Sequence, residues 1–217
     1  MEEEPRAEPQ EKSQKGHATA AIFACSPRAG GNSDLAAALT RDALKSVGAA
    51  CELFTLRRFN IAPCVGCHIC EQDQSGACFL TGRDQSVELF TPLLTADVVF
   101  LSAPIYYYHL PALLKSFIDR GQSYYIRKSR GDAVLTSLPR RKAWPLLVAG
   151  RPRGEKLFEG SLLTLRYFFS AFNFELGEPL LLRGVDELDD LRNNQEKRER
   201  IVAWTREAWA AVNPLPA

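Results

Sequence analysis

Short apolar runs alternate with amphipathic stretches along most of the chain. The runs at 20–25, 97–102 and 144–149 are almost continuously apolar, as is typical of parallel strands buried on both faces. After the second of these, apolar residues recur three and four positions apart, which indicates a helix packed on a sheet. The pattern predicts strands at 20–25, 51–56, 97–102, 144–149 and 180–182, and helices at 35–47, 87–94, 110–118, 158–172 and 201–212.

Strand and helix alternate regularly, and this order predicts the fold class. Parallel strands need crossover connections, so the order favours an α/β domain with a five-stranded parallel sheet and helices on both faces. We place this doubly wound domain at 18–212. Ligands of such sheets bind beyond the carboxyl ends of the strands, where the strand order reverses. The loops after strands 1, 3 and 4 are therefore the candidate site.

Composition narrows the class of protein. Residues 1–17 are rich in Glu, Lys, Gln and Pro and have no apolar run, so we expect a disordered tail. Lys and Arg number 27 against 26 Asp and Glu, which provides no basic field for nucleic acid. The sequence shows neither an apolar secretory signal nor a run of about eighteen apolar residues. We expect a cytoplasmic protein that binds neither nucleic acid nor membrane.

The loop after strand 1 reads SPRAGGNS and has the composition of an anion site. Glycines let the backbone N–H groups turn toward one anion, and the following helix N-terminus adds partial positive charge. The alternative is a plain turn with a serine helix cap. The segment lacks the dinucleotide and nucleoside triphosphate fingerprints. The candidate phosphate ligands are Ser26, Arg28, Gly30, Gly31, Asn32 and Ser33.

Three segments together resemble one family. SPRAGGNS, the segment SAPIYYYH after strand 3, and LLKSFIDR further along resemble motifs of the NADPH-dependent FMN reductase family, in the flavodoxin-like superfamily. The resemblance spans about 18–209. It implies strand order 2-1-3-4-5, FMN as cofactor, NAD(P)H as electron donor, and a homodimer or homotetramer.

The resemblance assigns the flavin ring to the loops after strands 3 and 4. Pro104 stiffens the first loop, and the N–H groups of Ile105, Tyr106, Tyr107 and Tyr108 can face the ring edge. By the resemblance, Tyr106 is expected to contact the ring, although these tyrosines alone would also suit an ordinary aromatic surface. Gly150, after strand 4, allows close backbone approach.

A cysteine-rich insertion is expected at 61–83. It carries Cys64, Cys67, Cys70 and Cys78, a spacing that lets thiolates converge on one centre. The residues leave open a 4Fe–4S iron–sulfur cluster, zinc, or free thiols with a reversible disulfide. The segment also resembles that of the iron–sulfur flavoproteins. A similar segment, often followed by two aspartates where this chain has Arg83-Asp84, also occurs in cluster-free members of the wider reductase family. Cys25 and Cys51 lie in strands and are interpreted as inert.

The sequence therefore predicts an FMN-dependent oxidoreductase. It would accept hydride from NAD(P)H and pass electrons to a flavin, quinone, metal or other small-molecule or protein acceptor. No general acid or base is assigned, because the cofactor does the chemistry. The alternatives are an iron–sulfur flavoprotein that carries electrons between ferredoxin-like partners, and a flavin-free binding module.

Overall fold

A computed structural model describes residues 18–213, so the predicted tail lies outside the described residues. The strands are β1 Thr19–Ala24, β2 Ala50–Thr55, β3 Val98–Pro104, β4 Arg141–Val148, β5 Phe174–Leu176 and β6 Leu180–Leu182. The helices are α1 Asn32–Ser46, α2 Ile69–Gln72, α3 Ser86–Thr95, α4 Ala112–Arg120, α5 Gln122–Ser129, α6 Ala133–Ser137, α7 Glu159–Ser170, α8 Asp190–Asn193 and α9 Gln195–Val212, and a 3-10 turn covers Leu56–Arg58.

The strands form one parallel sheet in the order β2-β1-β3-β4-β5, with β6 also paired to β4. The predicted fold class and strand order are confirmed. The strand order reverses between β1 and β3, so the loops that follow these two strands diverge at the carboxyl ends of the strands.

The last strand position is divided into two short pieces. β5 pairs with Arg141–Ala143 and β6 with Leu146–Val148, so both continue along the same neighbour. Between them, Gly177 lies against the indole of Trp144, where a β carbon would approach Cε3 to 2.4 Å. Only a residue without a side chain fits there. The predicted strand at 180–182 is confirmed, and the short strand β5 before it was missed.

Helices cover both faces of the sheet, as predicted. One face buries a phenylalanine cluster that includes Phe90, Phe117 and Phe172, against α3, α4 and α7. The other face packs α1 and α9 on β1 and β3, with Leu44 and Trp209 in its core. No helix within residues 18–213 combines the length and apolar character that crossing a membrane requires.

Arg141 explains why β4 begins earlier than the apolar pattern predicts. Its buried guanidinium donates to the carbonyls of Ala96 (2.6 Å), Leu93 (3.0 Å) and Phe172 (2.7 Å) and lies over the Phe174 ring. Burial lowers the pKa of this side chain to about 10, so it remains charged at neutral pH. The charge is stabilised by the carbonyl groups at the ends of two helices.

Candidate functional site

The β1–α1 loop, here residues 25–33, includes the first two residues of α1, which begins at Asn32. The Ser26 hydroxyl accepts from the Arg28 N–H (3.2 Å) and donates to the Arg28 carbonyl (3.0 Å), which closes a tight turn. Gly30 has φ +70°, and a β carbon on Gly31 would lie 3.2 Å from the Arg28 Nε. The Arg28 guanidinium therefore lies beside the first turn of α1.

The first turn of α1 has unpaired donors. Gly31 is the N-cap residue and supplies no side-chain cap. Among the hydrogen bonds of residues 18–213, none is donated by the main-chain N–H groups of Asn32 and Ser33. Unpaired N–H groups at a helix N-terminus attract anions. The geometry therefore agrees with a phosphate site at this loop.

A carboxylate and an arginine outside the predicted set brace the same loop. Asp34 accepts from the Gly30 N–H (2.8 Å) and forms a two-point ion pair with Arg57, both contacts being 2.8 Å. Arg57 also donates to the Ser26 carbonyl (3.2 Å). Arg57 follows β2, the strand beside β1, and this position at the carboxyl edge is the sequence signal that could have identified it.

Asn32 and Ser33 are buried, and the protein itself uses the Asn32 side chain. Asn32 donates to the Glu187 carbonyl (2.7 Å) and accepts from the Leu191 N–H (3.1 Å). These contacts connect the β1–α1 loop to the β6–α8 loop, residues 183–189. The contribution of Asn32 toward a ligand is thus its main chain, whereas the sequence had suggested a side-chain donor.

The β3–α4 loop, residues 105–111, contains a tight tyrosine turn. Tyr106 and His109 exchange main-chain hydrogen bonds of 2.9 and 3.0 Å, and the two residues between them have φ values of 49° and 62°. Left-handed backbone is strained for non-glycine residues and is common at ligand sites. The Tyr107 side chain is completely exposed.

This turn changes which N–H groups remain free. The Ile105 N–H donates to the Val148 carbonyl and the Tyr106 N–H to His109, so neither is available to a ligand. No described hydrogen bond involves the N–H groups of Tyr107 and Tyr108. The four predicted donors therefore narrow to the N–H groups of Tyr107 and Tyr108.

A cavity of about 510 Å³ opens at the carboxyl ends of β3, β4 and β6. Its walls include Tyr107, Tyr108 and Ile105 from one loop, Gly150 and Arg151 from the next, and Asp186 from the β6–α8 loop. Tyr106 and Pro104 do not line it. Of the predicted loop residues, Ile105, Tyr107, Tyr108 and Gly150 thus lie together, and the structure adds Arg151 and Asp186.

Two contacts shape the far wall of this cavity. Arg151 donates to the Tyr108 hydroxyl at 3.0 Å and lies over its ring. A β carbon on Gly150 would lie 2.5 Å from Asp186 Oδ1, so the carboxylate is seated directly against that glycine. Asp186 follows a predicted strand end, but no motif marks it.

The cysteine segment, residues 61–83, forms a second cavity of about 310 Å³ against α4 and α5. Cys64, Cys67, Cys70 and Cys78 all line it, as does Arg120. Burial raises the pKa of the Cys70 thiol, and the nearby Cys78, Glu71 and Cys64 groups raise it further. The thiols are therefore close enough for their charges to interact.

The spacing of these thiols bears on the kind of group they fit. Within residues 18–213, no group of three or more His, Cys, Asp or Glu side chains is arranged so that it could hold a metal ion. A zinc ion would hold its thiolates roughly 4 Å apart. A 4Fe–4S cluster is larger and would take its four thiolate ligands at wider spacing, and the four segment cysteines line one cavity.

Side chains outside the segment hold it in place. At its base, Asp84 pairs with Arg120, both side chains being 2% exposed, and accepts from the Ala62 N–H at 2.9 Å. Arg120 also donates to the Ala62 carbonyl (3.1 Å). At its far side, Arg130 of the α5–α6 turn donates to the carbonyls of Asp73 (2.7 Å) and Glu71.

The two remaining cysteines, which the sequence predicts to be inert, lie outside the segment. Cys25 is fully buried, and burial raises the pKa of its thiol well above the ordinary value. Cys51 is half-buried, and burial raises its pKa as well. Thiols with raised pKa are poor nucleophiles at neutral pH.

Comparison with known proteins finds a family whose sequence model matches most of the segments described above. The sequence model of the NADPH-dependent FMN reductase family matches residues 18–139. The β1–α1 loop, the β3–α4 loop and the cysteine segment all lie inside the match.

Two curated relatives and one solved structure are similar to the chain. An iron–sulfur flavoprotein of Methanocaldococcus jannaschii is 30% identical over 122 residues, covering 53% of this chain and 60% of the relative. An FMN-dependent NADH:quinone oxidoreductase of Mesoplasma florum is 24% identical over 135 residues, covering 60% and 67%. An NAD(P)H:quinone oxidoreductase structure from Methanothermobacter marburgensis superposes with TM-score 0.63 at 17% identity, covering 93% and 98%. The chain thus spans about three fifths of the first relative's length, and the structural likeness shows the fold.

Proposed function

Because the chain belongs to the NADPH-dependent FMN reductase family, we propose that it is an FMN-dependent oxidoreductase that accepts hydride from NAD(P)H. The electrons would pass to a small-molecule acceptor such as a quinone or a flavin. The observation that carries the proposal is that unpaired N–H groups follow two adjacent strands: at the first turn of α1 after β1, and at the Tyr107–Tyr108 turn after β3, on the 510 Å³ cavity.

The β1–α1 loop supplies what a phosphate monoester needs. The main-chain N–H groups of Asn32 and Ser33 are donors at the positive end of α1, and Arg28 adds a guanidinium. The Asp34–Arg57 pair keeps the loop closed and cancels the carboxylate's charge near the phosphate. Ser26 holds the turn. FMN fits this set better than a dinucleotide, since the loop lacks the dinucleotide fingerprint.

The cavity supplies the ring site. The N–H groups of Tyr107 and Tyr108 would donate to the ring's polar edge, while Ile105 and Leu157 provide apolar contact. FMN, when bound, supplies the two-electron chemistry. Arg151, Arg153 and Lys156 are exposed on the β4–α7 loop, where they would attract the phosphates of NAD(P)H.

Anaerobic purification followed by FMN titration and NAD(P)H oxidation tests this proposal. We expect a yellow protein, or a colourless one that takes up one FMN per chain, and oxidation of NADH or NADPH that depends on FMN and a quinone. Arg28→Ala should weaken FMN binding, while Arg41→Ala, an exposed arginine on α1, should not. A protein that refuses FMN would contradict the proposal and favour a flavin-free binding module.

The second candidate is an electron carrier with an iron–sulfur cluster beside the flavin. It is favoured by the single cavity that all four segment cysteines line, and by the similarity to a protein named an iron–sulfur flavoprotein. Cys64, Cys67, Cys70 and Cys78 would hold the cluster, and ferredoxin-like proteins would exchange electrons with it.

An anaerobic visible spectrum with iron and sulfide analysis tests the second candidate. A cluster would add broad absorbance that dithionite bleaches, with four irons per chain. Cys70→Ser should abolish it and Cys51→Ser should retain it, since Cys51 lies on β2, away from the segment. Flavin absorbance without iron would leave the simple reductase.

We also propose that the chain forms a homodimer or homotetramer. Leu163 and Tyr167 on α7 are 53% and 70% exposed, beside Tyr125 on α5 at 59%. Exposed apolar side chains grouped along a groove suit an interface between copies. Light scattering of the purified protein would give the assembly size, and a monomer would contradict the proposal.

A further inference from the structure

We propose that Asp186 is a flavin-positioning residue: its carboxylate accepts a hydrogen bond from the imide N–H of the FMN ring and disfavours the anionic reduced ring. This inference rests on the proposed FMN site. No motif includes Asp186, and it reaches the cavity from the β6–α8 loop.

The carboxylate is available for such a contact. Asp186 lines the 510 Å³ cavity, and within residues 18–213 no ion pair or side-chain hydrogen bond engages its oxygens. Its Oδ1 lies against Gly150, where a β carbon would approach to 2.5 Å. A free carboxylate beside a ligand cavity can accept only from N–H or O–H donors.

The main chain around Asp186 is held on three sides. The N–H groups of Asp186 and Glu187 both donate to the Asp190 carboxylate at 2.8 Å. The Val185 N–H donates to the Ala149 carbonyl at 3.1 Å, which ties the loop to the end of β4. Asn32 adds the third tie, from the β1–α1 loop. The side chain is thus carried by a fixed backbone, as ligand positioning requires.

The polar groups of the cavity complement the imide edge of an isoalloxazine. That edge presents an acceptor, a donor and an acceptor in sequence: two carbonyl oxygens with one N–H between them. The cavity offers the free N–H groups of Tyr107 and Tyr108 as donors and Asp186 as acceptor. The two main-chain N–H groups are donors and cannot accept a hydrogen bond from the imide N–H. Asp186 therefore supplies the acceptor that the Tyr107–Tyr108 turn lacks.

The charge of Asp186 has a second consequence. Reduction of flavin places negative charge on the same pyrimidine ring that carries the imide. A fixed carboxylate nearby opposes that charge, so it lowers the reduction potential of the bound flavin. The hydrogen bond and the charge can be separated, because Asn retains the acceptor oxygen and removes the charge.

The experiment compares FMN with 3-methyl-FMN, in which a methyl group replaces the imide hydrogen, on wild-type protein and variants. A hydrogen bond to a charged group is worth about 1.5–3 kcal/mol, or roughly ten- to a hundredfold in affinity. The wild type should therefore prefer FMN over the methylated analogue by about tenfold or more. Asp186→Ala should weaken FMN binding by a similar factor and lose the preference.

Asp186→Asn should keep most of the preference for FMN and raise the flavin reduction potential, measured by equilibration with reference dyes. Glu187→Gln removes the same charge from the adjacent side chain, which does not line the cavity, and should leave both measurements unchanged. Circular dichroism confirms that each variant is folded. Equal binding of both flavins by the wild type, or an unchanged potential in Asp186→Asn, would overturn this inference alone. Failure of the wild type to bind FMN would overturn the proposed function as well.

Discussion

The β1–α1 loop and the cysteine segment are both candidate ligand sites, yet they are held in different ways. The loop is fixed by main-chain contacts at the end of a buried strand, and Ser26, Asn32 and Ser33 are 3%, 5% and 4% exposed. The cysteine segment lies outside the sheet, and side chains of α4 and the α5–α6 turn donate hydrogen bonds to it. The first site is built before any ligand arrives. The second depends on one ion pair, on hydrogen bonds from arginines to its carbonyl groups, and on any group that its thiols bind.

Breaking the buried pair under the segment should have the largest effect. Asp84→Ala leaves the Arg120 guanidinium charged and without its carboxylate, which costs about 3–5 kcal/mol. Urea denaturation would measure the loss in free energy of unfolding. Asp42→Ala, which breaks the exposed pair with Arg41, is the control and should cost less than about 1 kcal/mol. Equal losses would mean that the pair does not hold the segment.

Two substitutions in the β1–α1 loop should have different effects: one should lower the free energy of unfolding and the other the affinity for FMN. Asn32→Ala strands the Leu191 N–H and the Glu187 carbonyl, so we expect a loss of about 1–3 kcal/mol in unfolding free energy. Arg28→Ala should leave stability within about 0.5 kcal/mol, because this side chain is exposed. It should instead weaken FMN binding about ten- to a hundredfold. Thermal unfolding and fluorescence titration give the two quantities, and the reverse pattern would contradict the assignment.

Low pH should weaken the Asp84–Arg120 contact that holds the end of the cysteine segment. Burial by itself raises the pKa of Asp84, but hydrogen bonds from Ser86, the Ala62 N–H and Arg120 outweigh it and hold the pKa below its ordinary value. A lowered pKa adds stability at neutral pH that is lost as pH falls through the folded-state pKa. The stability difference between wild type and Asp84→Asn should therefore be constant near neutrality and shrink below about pH 4. A difference independent of pH down to pH 2 would rule out this linkage.

Chemical labelling of the cysteine thiols tests the smallest of these expected effects. In metal-free protein, Cys64 and Cys67 are exposed and should react first with a thiol reagent, while Cys25 should react only on unfolding. Mass spectrometry of the labelled peptides would identify the order. A bound cluster would protect the segment thiols together. Rapid labelling of Cys25 in folded protein would contradict its burial.

Much of the fold was readable because its signals are strong and local. The apolar runs of β1, β3 and β4 are buried on both faces, and the element order predicted a parallel sheet, whose strand order came from the family resemblance. Helix α5 was missed because its sequence, QSYYIRKS, carries no apolar stripe. It forms where α4 ends at Gly121, which has no room for a side chain: a β carbon there would lie 2.8 Å from the Ile118 carbonyl oxygen.

The site was predicted in outline but not in detail. The glycines and serines of the β1–α1 loop are typical of an anion site. The use of the Asn32 side chain was not readable, since its partner Glu187 is 155 residues away. Likewise, no spacing rule reveals that the Ile105 and Tyr106 N–H groups are consumed by neighbouring backbone. Which donors remain free depends on the folded chain.

The division of the outer strand into β5 and β6 has a consequence for behaviour at high concentration. A long, flat outer strand presents a continuous row of donors and acceptors on which another chain can add a strand. Here the row is interrupted at Gly177–Pro179, and proline has no N–H to offer. Each remaining piece has three residues, too few to template a stable cross-chain ladder. The indole of Trp144, which needs the glycine, thereby helps to keep this border of the sheet from nucleating aggregates.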